Sequence, residues 1–156
     1  MFDELRELYQ EVILDHGTKP RNHHELEAPT FRAHGHNPIC GDALTVYLMV
    51  DDGGVIQDAS FEGRGCAISM ASASMMTEVI KGRTVADAHR LFGSFHSLCT
   101  EDDYVLEAAD AADADDLERL NVLSGVREFP VRVKCATLPW HTMNAAMSGE
   151  DEISTE

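Results

Sequence analysis

A chain of 156 residues has the length of one domain and can bury a sizeable core. Its 12 basic and 28 acidic side chains give a net charge of −16, which argues against nucleic acid and anionic membrane surfaces as partners. At 44% hydrophobic and 26% charged it reads as soluble and globular, and no apolar run approaches the ~18 residues of a membrane span.

The opening stretch "MFDELRELYQEV" is amphipathic and acidic, unlike a secretory or transit signal, so a cytoplasmic location is expected. Residues 3–16 place Leu5, Leu8, Val12 and His16 at helical spacing, with Ile13 and Leu14 widening the stripe and Gly17 as the expected stop. Residues 17–29 are polar, carry two prolines and read as a loop. "FRAHGH" at 31–36 is expected to be an edge strand. "TVYLMV" at 45–50 and "VIQDASFEG" at 55–63 are strands joined by "DDGG" as a hairpin turn.

After Cys66 the character changes to helix. Residues 69–82 are small and flexible, with Ser69 as the expected N-cap and Gly82 as the end. Residues 84–99 follow, with Thr84 as N-cap and Asp87 in the capping-box position. A further helix is expected over 113–123. The last, over 131–148, has a stripe at Ala136, Trp140, Met143 and Met147. Strands first and helices after predict an α+β fold, a small antiparallel sheet of about three strands with helices on one face. The expected organisation is one domain over residues 1–150 and a frayed tail over 151–156. The acidic run at 101–118 reads as a solvated helical surface or as a docking surface for a basic partner.

The four cysteines, Cys40, Cys66, Cys99 and Cys135, contain no CxxC pair, so neither a zinc ribbon nor a disulfide framework is signalled. Cys40, in "NPICGD", lies in a turn before a strand. Cys66, in "FEGRGCAIS", lies between strand and helix, and Cys135, in "VKCATL", lies near the start of the last helix. Such positions let a thiol point out of the core, and helix-start N–H groups favour thiolate. With Asp42 two residues after Cys40, these side chains make up a full tetrahedral donor set for Zn²⁺. Each also has a plainer reading: a buried small hydrophobe for a lone cysteine, a turn residue for Asp42. His34 and His36 are alternative ligands. Cys99, among Phe92 and Phe95, reads as core.

The stretches "LYQEVILDHGTKPRN" (8–22), "NPICGDALTVYL" (37–48), "FEGRGCAISMASASMMTEVIKG" (61–82) and "VRVKCATLPWHTM" (131–143) resemble the NifU/IscU superfamily of iron–sulfur cluster assembly proteins, and most nearly its SufU branch. The resemblance covers most of the chain and implies metal ligation by Cys40, Asp42, Cys66 and Cys135. Two features separate the branches. Histidine precedes the last cysteine in IscU-like proteins, where this chain has Lys134. A SufU-like insertion is accommodated by the 69 positions between Cys66 and Cys135, and the acidic run falls in it. Pro139 departs from the family's usual alanine. It belongs in the first turn of the last helix, or else kinks that helix near the metal. Lys134 and Arg64, each next to a ligand, are the cations expected to offset the site's negative charge.

The function implied is that of a zinc-dependent sulfur acceptor, or sulfurtransferase. It takes persulfide sulfur from a SufS-type cysteine desulfurase and stimulates it, with Cys40 as the reacting thiol. A desulfurase histidine would replace Cys40 on the metal, and downstream iron–sulfur assembly machinery would receive the sulfur. The alternatives are a scaffold for a [2Fe–2S] cluster or iron, for which thiolates also serve, and a structural zinc module that binds a partner.

Overall fold

The computed structural model describes residues 2–38, 41–101 and 120–154, with the backbone alone for 2–9 and 127–128. Helix α1 spans Phe2–Thr18. Gly17 does not stop it. A Cβ at Gly17 would lie 3.1 Å from the Ala67 carbonyl oxygen, so glycine here allows α1 to approach the start of the next helix. The stop comes from Pro20, which has no N–H to continue the ladder. Lys19 N–H still donates to Asp15 O at 2.9 Å. His16 is buried, with Nδ1 2.8 Å from Ser74 Oγ, whereas Leu14, expected on the apolar stripe, is 60% exposed.

Strands β1 (Phe31–Asn37), β2 (Asp42–Val50) and β3 (Ile56–Arg64) form consecutive antiparallel pairs. Asp51 makes the β2–β3 turn: its Oδ1 accepts from the N–H groups of Gly53 and Val55, both at 2.9 Å. Gly54 there has φ +81°, a conformation that favours glycine. The "PRN" segment runs beside β3. Phe61 N–H donates to Asn22 O at 3.0 Å, and the Asn22 side chain bonds both Thr77 and Lys81.

Two expectations are corrected. β1 is not an edge, and the tail is not frayed throughout: Glu152–Ser154 form β4, which pairs parallel with His34–His36 in the sheet order β3–β2–β1–β4. His34 N–H donates to Asp151 O at 2.8 Å. A strand of three residues gains its hydrogen bonds only from a partner distant in sequence, so local pattern does not reveal it. Among the described residues the sheet therefore has four strands and is mixed.

The expected one-sided packing holds. Ala33, Leu44, Val46, Leu48, Ala59 and Phe61 are buried on one face, with helices α2 (Ala67–Ile80) and α4 (Pro130–Met147) packed against the strands. α2 begins two residues earlier than expected, with Cys66 and not Ser69 at its N-cap. Ser69 instead donates from inside the first turn to Cys66 O at 3.1 Å. α2 is buried on nearly every side, as its small residues permit. Helix α3 (Val85–Thr100) starts as expected, Thr84 Oγ1 accepting from Asp87 N–H at 3.1 Å. The reciprocal half of the capping box is absent, because the Asp87 carboxylate pairs with Arg83 and Arg90. The helix expected over 113–123 falls mostly outside the described residues; Val122–Glu128 are a 3-10 helix.

α4 takes Pro130 in its first turn. Its predicted stripe is core: Ala136, Trp140 and Met143 are buried, and Trp140 stacks on Phe95 with centroids 4.6 Å apart. Pro139 lies in the helix interior, not the first turn, and the helix runs through it. It has no N–H to offer the carbonyl of Cys135 one turn back. α4 crosses β1 at Gly35, where any Cβ would strike Thr142 Oγ1.

Candidate metal centre

Three segments meet at one end of the sheet. Asp42 opens β2, opposite Asn37 at the end of β1. Cys66 ends the turn out of β3 and caps α2. Cys135 sits in the second turn of α4. One ligand atom from each of Asp42, Cys66 and Cys135 lies within 4.8 Å of the others. Sequence positions 42, 66 and 135 thus converge as expected. Cys40 lies outside the described residues, though chain connectivity keeps it two residues from Asp42.

Glycines shape the approach. Gly63 has φ +140°, and a Cβ there would strike the Ala43 carbonyl oxygen across the β2–β3 pair. At Gly65 the requirement is space, not dihedral angle. A Cβ would fall on Ser69 Oγ and 2.6 Å from Asp42 Oδ1. That space admits the carboxylate to the start of α2, where its Oδ1 accepts the Cys66 N–H at 2.9 Å. The helix-start dipole favours a negative group at this point.

Asp42 is 1% exposed, and its Oδ2 is buried with no hydrogen-bond partner among the described residues. A buried carboxylate oxygen without a partner is costly unless a cation or donor meets it. Cys135 is buried and Cys66 half-buried, so both thiols and the carboxylate face a sheltered space with soft and hard donors together. The residues fit a thiolate-binding ion such as Zn²⁺.

A cation other than the expected Lys134 and Arg64 sits at the thiols. The group beside the thiols is Arg132. Its guanidinium pKa is raised, first by hydrogen bonding to Cys135, then by the charges of Cys66 and Cys135. The signal was helical spacing: residue 132 is three before 135 and shares its face, whereas Lys134 is one before and points about 100° away. Asn37 was also missed. It is buried, and its Nδ2 lies 4.0 Å from Cys135 Sγ. Position 37 continues the inward alternation of Ala33 and Gly35 along β1, and that parity was the available signal.

The same alternation removes His34 and His36 as ligands. They lie on the opposite face of β1 from Asn37, with His34 Nδ1 3.1 Å from Thr45 Oγ1. Cys99 is fully buried in the core, as read.

The chain is similar to known proteins over most of its length. The family described as NifU-like N terminal domain matches residues 8–136. The zinc-dependent sulfurtransferase SufU of Bacillus subtilis is 40% identical over 147 residues, 94% of each chain. The iron–sulfur cluster assembly scaffold protein IscU of Thermotoga maritima is 36% identical, over 90% of this chain and 92% of its own. Among solved structures, one from Fervidobacterium islandicum AW-1, described as an iron–sulfur cluster assembly scaffold protein for the SUF system, superposes with a TM-score of 0.78. It is 33% identical, covering 90% of this chain and 97% of its own. Matched over most of its length, with its buried carboxylate and thiols gathered where three segments meet, the chain belongs to the NifU-like N-terminal domain family.

Proposed function

We propose that this protein is a zinc-dependent sulfur acceptor in iron–sulfur cluster assembly, working with a SufS-type cysteine desulfurase. The observation that carries the reading is the convergence of Asp42, Cys66 and Cys135 with a buried carboxylate oxygen that has no partner among the described residues, in a chain 40% identical to a zinc-dependent sulfurtransferase. Cys40, Asp42, Cys66 and Cys135 are the residues that hold the ion. When bound, Zn²⁺ supplies charge that keeps its thiol ligands deprotonated at neutral pH.

The chain's own residues then divide the work. Cys66 and Cys135 are held by α2 and α4 and stay in place. Asp42 is fixed by the Cys66 N–H. Arg132 offsets the negative charge gathered at the two thiols. Cys40 is the reacting thiol. Its thiolate attacks the outer sulfur of the desulfurase persulfide; a new S–S bond forms on Cys40, the old one breaks, and the desulfurase cysteine leaves as thiolate.

The test is desulfurase turnover with and without this protein, with mass spectrometry of the chain. Stimulated turnover and the mass of one extra sulfur on Cys40, both lost in Cys40→Ser, are expected. Stimulation that survives Cys40→Ser refutes the assignment. The cluster-scaffold reading is favoured by the likeness to IscU of Thermotoga maritima. Metal analysis after aerobic purification separates the two: zinc near one per chain for the acceptor, iron with sulfide for the scaffold.

A further inference from the structure

A cluster of histidines lies along the seam between α3 and α4. His89, Phe92 and His96 sit three and four residues apart on one face of α3. His141 and Asn144 face them from α4, where the His89 Nδ1 and Asn144 Oδ1 are hydrogen-bonded. His141 is six residues beyond Cys135, about 9 Å further along the helix axis. The rings of His96 and His141 have centroids 5.7 Å apart with planes at 80°. Both pack against Phe92, at 6.3 and 5.0 Å.

Imidazole ligates an ion through a ring nitrogen at about 2.0–2.1 Å. The ring centroid lies about 1.2 Å behind that nitrogen, so two imidazoles on one tetrahedral ion have centroids about 5.2 Å apart. The observed separation is within about half an ångström of this value. The other histidine pair provides the contrast. His34 and His36 are 6.3 Å apart and stacked at 30°, with His34 Nδ1 already held by Thr45.

The geometry points to His96 and His141 as a second metal site, one that takes Zn²⁺ or a similar imidazole-binding divalent ion and bridges α3 to α4. Water completes the coordination on the exposed His96 side, and Phe92 excludes it on the other. Burial first, and then the charge of His96, lower the pKa of His141 below the ordinary 6.5, so that ring is in its neutral, ligating form at pH 7. Neutral ligands leave the ion its full charge, which a chain of net charge −16 attracts. Such an ion would tie α3 to the helix that carries Cys135, and would stabilise the folded state by mass action.

The test is a titration of the zinc-loaded chain with Zn²⁺ alone, followed through the imidazole nitrogen signals in NMR. The signals of His96 and His141 should move together, as one further equivalent, while those of His34 and His36 stay still. His96→Gln, at an exposed position, should weaken this event by at least about tenfold and abolish the response of His141. Signals of His96 and His141 that stay fixed at millimolar Zn²⁺, or a His141 response that persists in His96→Gln, would overturn the proposal. The readout is specific to each histidine, so it stands whether or not Cys66 and Cys135 hold zinc.

Discussion

Gly65→Ala puts a methyl group where the structure has a carboxylate. The new Cβ would fall 2.6 Å from Asp42 Oδ1 and onto Ser69 Oγ. Carbon and oxygen rest no closer than about 3.3 Å, so the carboxylate must retreat by about 0.7 Å. Its bond from the Cys66 N–H is 2.9 Å long, and that retreat carries it past the ~3.2 Å limit of a good bond. Hydrogen bonds to charged groups contribute about 1.5–3 kcal/mol, so the metal-free protein should lose roughly 2 kcal/mol of unfolding free energy. Moving this proposed ligand should also weaken zinc binding by about tenfold or more, a factor equivalent to about 1.4 kcal/mol. The backbone adds nothing, because Gly65 is not among the glycines with positive φ. Gly93→Ala is the control of opposite sign. It lies exposed within α3 with open space around its Cβ, and should stabilise by about 0.5–1 kcal/mol. Urea unfolding in the presence of chelator, and competition against a zinc indicator dye, measure both quantities. A Gly65→Ala protein within about 0.5 kcal/mol of the parent, with zinc affinity unchanged, would refute the reasoning.

Three further outcomes are expected. Cys66→Ser and Cys135→Ser should each lower zinc content and the thermal midpoint together, because metal binding is partly folding free energy, while Cys99→Ser leaves zinc content unchanged. Loss of metal in Cys99→Ser alone would reverse the assignment. Arg132→Ala should weaken zinc binding by about two- to tenfold and Lys134→Ala by less, in the same dye competition; the reverse order would show that the charge at 134, not 132, serves the thiols. Burial, with a hydrogen bond to Glu62, raises the Tyr47 pKa from 10.0 to about 12. The folded protein therefore keeps a proton that the unfolded chain releases above pH 10. This contribution to stability is whole below that pH and is lost as pH rises toward 12. In Tyr47→Phe the alkaline slope should be shallower, and one late-ionising tyrosine should vanish from the tyrosinate absorbance.

What was legible from residues alone was whatever repeats within a few positions. The helical stripe at Ala136, Trp140 and Met143, the Thr84 cap and the glycine turn after Val50 are local, and each stands in the structure. The convergence of Asp42, Cys66 and Cys135 was legible through the quoted motifs and their resemblance to a family, not through spacing, because three unlinked segments carry no local sign of meeting. Tertiary structure decided the rest. Glu152–Ser154 became a strand only because β1 offers a free row of backbone groups to a segment far along the chain. Gly17 reads locally as a helix stop, and Gly65 as one more residue of the stretch leading to Cys66. In the fold each is a gap that Ala67 or the Asp42 carboxylate needs. Arg132, three residues before Cys135, shares its helical face by a spacing the sequence already carries, but that this face meets Cys66 is decided by packing. Local pattern records the period of the backbone. Which distant surfaces touch is settled by packing, and packing decides which side chains share a site.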